Sequence, residues 1–335
     1  MPSNVIVGGF FGDEGKGKVI AYLALKDKPD IAVRGGVGPN AGHTFVINGN
    51  VHKVRMVPSA LANPTTRLMI GAGVLVNPQV FLDEINRYNL KDRIYIDRHA
   101  GIITSKHIER DSAKDLKGRI GTTGSGSGPA NADRALRILP LAKDVKELSI
   151  YLDDVSSKIN DLLDRDGKLL VEGTQGTFLS LYHGTYPYVT SKDVTASAIC
   201  SDIGLGPKRV DEVTIVFKAY VTRVGEGELE GELSREEAEK RGWLEVATVT
   251  GRVRRAAPFN FKLAEKAIKL NSATQIALTK LDIVFPECSK IKDYDKLSER
   301  AKEFIEEIED RLGLRVTLIG TGEDVYDMID RRDIG

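Results

Sequence analysis

Short apolar runs recur along the chain with polar, glycine-rich or helix-like segments between them. They are Val5 to Val7, Ile31 to Val33, Leu68 to Ile70, Ile94 to Ile96, Leu169 to Val171, Val213 to Phe217, Ile276 to Leu278 and Val316 to Ile319. Hydrophobicity that is nearly continuous over so few residues suits a strand buried on both faces, as in a parallel sheet covered by helices. Helical periodicity fills several of the intervals, at Val19 to Ala24, Val80 to Tyr88, Val155 to Leu163, Ser234 to Arg241, Phe261 to Leu270 and Leu297 to Leu312. Ser234 with Glu237 three residues on makes a capping box, in which each side chain satisfies the other residue's backbone N–H. The pattern predicts an α/β fold: a mainly parallel central sheet with helical crossovers. There is no internal repeat and no low-complexity tract.

In open α/β sheets, ligands bind beyond the carboxyl ends of the strands, so glycine-rich turns that follow the apolar runs should converge on one cleft. Such turns are Gly12 to Lys18, Gly35 to Thr44, Gly121 to Pro129, Glu172 to Thr177 and Gly320 to Gly322. They are too many for a single nucleotide and imply two or more ligands. The Gly121 to Gly128 stretch reads either as a linker or as a ligand loop.

Composition narrows the class. The chain of 335 residues can bury one large core, and its 48 basic and 48 acidic residues leave no net field, so no nucleic-acid partner is expected. No apolar stretch approaches the ~20 residues of a membrane-crossing helix, and the N-terminus lacks the regions of a signal peptide, so no membrane partner and a cytoplasmic location are expected. The two cysteines, Cys200 and Cys288, exclude a disulfide framework or a cysteine metal cluster and read as buried spacers.

The string Gly12-Asp13-Glu14-Gly15-Lys16-Gly17-Lys18 lies between an apolar run and a helix and satisfies GxxxxGK. Glycines there let backbone N–H groups close around phosphate oxygens, and a lysine adds charge at a helix N-terminus, giving a P-loop-like nucleotide site. The next residue is Val19, where a hydroxyl would hold Mg²⁺; either the metal is absent or Asp13 replaces that ligand, and Asp13 also qualifies as a base. His43 sits in the second glycine-rich turn, beside Asn40 and Gly42, where an imidazole can act as acid or stabilise a transferring phosphoryl group. Thr279-Lys280-Leu281-Asp282 follows a strand-like run; a carboxylate there accepts from N1–H and the 2-amino group of guanine, whereas adenine offers an acceptor at N1. Arg252, Arg254 and Arg255 lie beside Thr248, Thr250 and Gly251; the cluster is either a solvated basic face or an anion-binding loop for a carboxylate substrate.

These strings together resemble the adenylosuccinate synthetase family. GDEGKGK at 12–18, NAGHT at 40–44, IGTTG followed by GP at 120–129, EGTQGT at 172–177, HGTYPYVTS at 183–191 and TKLD at 279–282 appear in the family's order. The resemblance covers nearly the whole chain and implies one domain over residues 1–335 with helical and loop insertions. It implies a GTP-dependent C–N ligase that joins L-aspartate to IMP through 6-phosphoryl-IMP, yielding adenylosuccinate, GDP and phosphate, the committed step towards AMP. Asp13, His43 and Lys16 take the catalytic roles by this resemblance. GTP, as co-substrate, would lie against Gly12, Asp13, Glu14, Gly15, Lys16, Gly17, Lys18, Gly42, His43, Thr44, Arg254, Lys280, Leu281, Asp282, Gly320, Thr321 and Gly322. IMP would lie against Asp13, Glu14, Gly15, Lys16, Asn40, Ala41, Gly42, His43, Thr123, Gln175, Thr190 and Arg252, with Arg137 supplied by the neighbouring subunit of a homodimer. Thr248, Val249, Thr250, Gly251, Arg252, Val253 and Arg254 would form the aspartate loop. One Mg²⁺ per subunit would be held by Asp13 and the Gly42 carbonyl.

The chain departs from the family in three ways. It is shorter than usual, Ser125 stands where many members have arginine, and Ala256-Ala257-Pro258 lacks a common Gly-Trp pair. Two rival readings use the same strings. A guanine-nucleotide switch accounts for the P-loop and TKLD but leaves His43, EGTQGT and the arginines idle; another P-loop ligase would use a different carboxylate.

Overall fold

A computed structural model describes residues 3–113, 120–246 and 251–332. In chain order its strands are β1 (Ser3–Gly8), β2 (Ile31–Arg34), β3 (His43–Ile47), β4 (Asn50–Val54), β5 (Arg67–Ile70), β6 (Leu75–Val76), β7 (Ile94–Asp97), β8 (Gly101–Ile102), β9 (Leu152–Asp153), β10 (Leu169–Glu172), β11 (Glu212–Lys218), β12 (Tyr220–Arg223), β13 (Arg255–Pro258), β14 (Gln275–Thr279), β15 (Val316–Gly320) and β16 (Met328–Asp330). Ten of them form one sheet in the order β16-β15-β14-β11-β1-β10-β2-β5-β7-β9. Every pairing in it is parallel except β15 with the edge strand β16. Each apolar run named above lies in this sheet.

Both faces are covered, as continuous apolar strands require. Val5 and Val7 pack into one core cluster and Ile6 into another; Ile215 and Phe217 divide from Val216 in the same way, as do Ile276 and Leu278 from Ala277. This period of two is the pleat of each strand distributing its side chains between two helical layers. Helix α1 (Lys16–Asp27) buries Val19, Ile20, Ala21, Leu23 and Ala24 against one of those layers.

The other predicted helices occur with small shifts at their ends. Val155–Leu163 is as expected, Pro78–Tyr88 starts earlier behind an Asn77 cap, and Glu299–Leu312 starts later because Ser298 is its N-cap. The Ser234/Glu237 capping box is formed at Arg235–Lys240. The apolar pattern did not disclose the β3–β4 hairpin. Its turn is Asn48-Gly49, both with positive φ (49° and 78°), the conformation that tight two-residue hairpins favour. Cys200 and Cys288 are buried free thiols.

Candidate active site

Central strand β1 lies between β10 and β11, and from it the neighbouring strands run out in opposite directions along the sheet, which opens a crevice at their carboxyl ends. The turns after β1, β2 and β10 line a cleft of about 500 Å³ there. Gly12, Asp13 and Gly15 all have positive φ (87°, 61° and 83°), which folds the loop tightly before α1 begins. Glu14 stabilises that loop from beneath. It is buried, its Oε1 accepts from the Phe10 and Gly12 N–H groups at 3.0 and 2.7 Å, and its Oε2 accepts from Lys16 Nζ at 2.8 Å. The Glu172–Thr177 turn closes over the same loop: a Cβ on Gly176 would lie 2.3 Å from the Gly12 nitrogen.

Asp13 projects into the cleft with its side chain 33% exposed, and Arg254 Nε lies 2.9 Å from Asp13 Oδ2, an ion pair whose angles fall short of a hydrogen bond. His43, the first residue of β3, faces the same cleft and is fixed from behind. Glu172 at the end of β10 accepts from its Nδ1 in a short contact, and the same carboxylate accepts from Arg34 Nη1 (3.1 Å), Ser59 N–H (2.6 Å) and Ser59 Oγ (3.1 Å). Arg34 and Glu172 are wholly buried. Burial pushes the His43 imidazole below its ordinary pKa; Glu172 opposes that shift in part, and Arg34 and Lys16 add to it. Burial pushes the Glu172 carboxyl the other way, but His43, Arg34 and the Ser59 N–H outweigh it and hold the group below the usual carboxylate range.

Of the residues singled out in the sequence, the cleft gathers Gly12, Asp13, Gly15, Lys16, Gly17, Asn40, Ala41, Gly42, His43, Thr44, Thr123, Gln175, Thr190, Arg252 and Arg254. Asn40 Nδ2 donates to Thr190 Oγ1 at 3.2 Å, while buried Asn40 Oδ1 has no partner among the described residues and is left for a ligand donor. Thr123 is joined to Ser125 through their hydroxyls at 2.8 Å, and Arg252 Nη2 donates to the carbonyls of Gly121 and Thr122 at 2.8 and 2.9 Å. The Gly121–Gly128 stretch is thus a cleft wall and not a linker.

A second cluster lies beside the P-loop. Thr279 Oγ1 donates to the Glu14 carbonyl at 2.7 Å, which fixes the end of β14 against the loop and carries Lys280 and Asp282 with it. Asp282 Oδ1 is buried without a partner among the described residues, and burial, only partly offset by Lys280 and Lys18, raises its pKa. Leu281 is fully buried and offers only backbone. Lys18 does not line the cleft. Its Nζ donates to the carbonyls of Gly322 and Asp327, both at 2.7 Å, beside Gly320 and Thr321, so the lysine that GxxxxGK assigns to phosphate is committed to two backbone carbonyls here. Gly251 and Val253 are exposed, Arg137 lies on the surface outside the cleft, and Thr248, Val249 and Thr250 fall outside the described residues.

Several residues of the site were not singled out in the sequence. Glu172 opens the EGTQGT string and Arg34 precedes the Gly35–Thr44 turn, and the place of each at a strand end next to a glycine turn was an available signal; Ser59 had none. Glu245 is another. It accepts from buried Lys218 Nζ at 2.6 Å and Tyr220 OH at 2.5 Å, and its carbonyl accepts from the Arg254 N–H at 2.8 Å, so it anchors the arm that carries Arg254.

The family model described as adenylosuccinate synthetase matches residues 5–145 and 138–286. The chain is 55% identical to the adenylosuccinate synthetases of Pyrococcus horikoshii and Methanocaldococcus jannaschii, over 99% of this chain and 99% and 98% of those proteins. Its short length is therefore shared with these relatives. The fold is similar to that of the fully ligated adenylosuccinate synthetase from Plasmodium falciparum, with a TM-score of 0.91 at 27% identity over 98% of this chain and 99% of that one. It is also similar to a cyanophage S-2L succinoaminodeoxyadenylate synthetase bound to dGMP and to dATP as an energy donor, with a TM-score of 0.82 at 27% identity over 98% and 95%. By family model, by relatives matched end to end and by fold, the chain belongs to the adenylosuccinate synthetase family, GTP-dependent ligases that join IMP to L-aspartate in AMP synthesis.

Proposed function

We propose that Asp13 and His43 perform the proton chemistry of this ligation and that Lys16 neutralises the group in transit. Asp13 takes the proton from N1 of IMP, the electron pair moves to O6, and O6 attacks the γ-phosphorus of GTP while the bond to the β–γ bridging oxygen breaks. GDP leaves and 6-phosphoryl-IMP remains. The amine of L-aspartate then adds at C6, phosphate departs from that carbon, and the amine's proton is lost to give adenylosuccinate. Phosphorylation converts a poor leaving oxygen into a good one.

The observation that carries this reading is the convergence of Asp13, Lys16 and His43 on one cleft wall, with Asn40, Thr123, Gln175, Thr190 and Arg252 on the remaining surface as IMP contacts. Because Glu172 takes Nδ1, the other ring nitrogen of His43 is the one left for a phosphoryl oxygen. Burial favours the neutral ring, and a triphosphate alongside adds the negative charge that favours the imidazolium. Arg254 pairs with Asp13, and GTP gives that guanidinium a competing anion.

Magnesium fits the donor chemistry. Asp13 and the Gly42 carbonyl are hard oxygen donors on one cleft, and Mg²⁺ typically combines such donors with substrate phosphates and water. These two residues would hold it, one ion per subunit, and when bound it would neutralise phosphoryl charge. Guanine is favoured over adenine by the unpartnered Asp282 Oδ1, which the N1–H and 2-amino donors satisfy. The 248–254 arm would receive aspartate through Arg252 and Arg254. Arg137 stands between Leu136 and Ile138, which are 67% and 66% exposed, a ridge suited to a second copy of the chain whose IMP site Arg137 would enter. Among the described residues no helix is long and apolar enough to cross a membrane, and the proposed place of action is the cytoplasm.

The test is IMP labelled with ¹⁸O at C6. Label recovered in the released phosphate is expected; unlabelled phosphate would mean that water, not O6, receives the phosphoryl group.

A further inference from the structure

Lys18 is buried in the first turn of α1, only 7% exposed, yet among the described residues it neither lines the cleft nor pairs with a carboxylate. Its Nζ bonds, both at 2.7 Å to the Gly322 and Asp327 carbonyls, cross to the turn after β15. That turn is closed on itself by the Thr321 N–H to Asp327 carbonyl bond at 3.0 Å, so Lys18 and Thr321 share one acceptor. Gly320 lies close enough that a Cβ there would sit 3.3 Å from Lys18 Nζ. Asp282 is the leading attractive charge on the Lys18 ammonium, and burial lowers the lysine to a pKa of about 8 despite it. Lys16, by contrast, faces the cleft and is held by Glu14.

We propose that Lys18 is a positioning residue for the guanine end of the nucleotide site: by tying the 320–327 turn to α1 opposite Asp282, it sets base selectivity and leaves the phosphates to Lys16 and the loop. Two bonds from one ammonium to two carbonyls of one turn fix its distance from the P-loop helix. Thr279 fixes the Asp282 side to the same loop through the Glu14 carbonyl. With guanine placed at Asp282, its site would therefore be referenced to the P-loop on both sides. The inference rests on the placement of guanine at Asp282 proposed above.

The experiment compares GTP with inosine triphosphate, which lacks the 2-amino group, in the wild type, Asp282→Asn, Lys18→Met and Gly322→Ala. A wild type without preference, or Asp282→Asn with the wild-type preference, would remove the guanine placement itself. With those two controls behaving as expected, Lys18→Met should raise KM for GTP about ten- to a hundred-fold, the usual worth of a charge-assisted hydrogen bond. kcat should stay within about threefold, and the GTP preference should collapse. A kcat loss of about a hundredfold or more that is equal for both nucleotides would make Lys18 a phosphate lysine and overturn the proposal; an unchanged preference would overturn it too. Gly322→Ala perturbs the same turn from its other side, since a Cβ would lie 2.5 Å from Asp327 Oδ2. It should reproduce the loss of selectivity, and it decides the matter if Lys18→Met does not fold.

Discussion

His43 shows how a single residue acquires its chemistry from neighbours far away in the chain. Glu172, Arg34 and Ser59 surround its inner edge, and their convergence depends on β10 pairing with β2 in register, Glu172 opposite Arg34. The burial that results depresses the imidazole pKa, so the folded protein disfavours protonation relative to the unfolded chain, where histidine titrates at about 6.5. The stability this group contributes is present above that pH and is lost as pH falls towards the depressed folded value. The urea-midpoint difference between the wild type and His43→Gln should therefore be larger at neutral pH than at pH near 5. A difference that is constant or grows on acidification would contradict the buried, neutral assignment. The candidate acid was legible because His43 lies in a glycine-rich string; its orienting partners were not, because nothing local in Glu172, Arg34 or Ser59 announces which imidazole they will meet.

At the scale of elements, the strands and helices were read from apolar runs and caps because each is determined by its own periodicity. The β3–β4 hairpin was overlooked although Asn48-Gly49 is a strong turn signal and Phe45 to Ile47 is an apolar run, because β4 carries none: Asn50, Val51 and Lys53 are exposed and His52 half-buried. The antiparallel pair β12–β13 was equally hidden, as its partners lie on either side of a long arm. Contact between turns is the remaining determinant at this scale. Gly176 lies where a Cβ would meet the Gly12 nitrogen at 2.3 Å and Glu14 Oε1 at 2.5 Å, so Gly176→Ala must displace the P-loop itself. The expected outcome is a loss of GTP binding of about tenfold or more, with a few degrees lost in Tm, measured by titration calorimetry and thermal unfolding. Unchanged affinity would show that the EGTQGT turn does not shape the phosphate loop.

For the whole molecule, the sheet gathers turns from five strand ends into one cleft and one adjoining cluster, which is why the turns outnumber the needs of a single nucleotide. The expectation of a mainly parallel sheet was met apart from the edge strand β16, and the family resemblance was met by relatives matched over the full length. Arg137 lies outside the cleft of its own chain. If Arg137 serves a neighbour's site, mixing and exchanging inactive Arg137→Ala with inactive Asp13→Ala should restore about a quarter of the wild-type rate, since half of the dimers formed carry one intact site. No recovery, with heterodimers shown to form, would assign Arg137 to its own subunit or to no site.

The proposed ligation runs in one cleft, with Asp13 as its base. Its most direct test is the absorbance change as the 6-oxo purine becomes a 6-amino-substituted one in a mixture of Mg²⁺, GTP, IMP and L-aspartate, with each omitted in turn, for the wild type and for Asp13→Ala. Product should appear only in the complete mixture with the wild type, and the folded variant should be slower by about 10² to 10⁴, the usual worth of a general base. Product formed at near wild-type rate by Asp13→Ala, or GTP hydrolysed without IMP, would contradict the account.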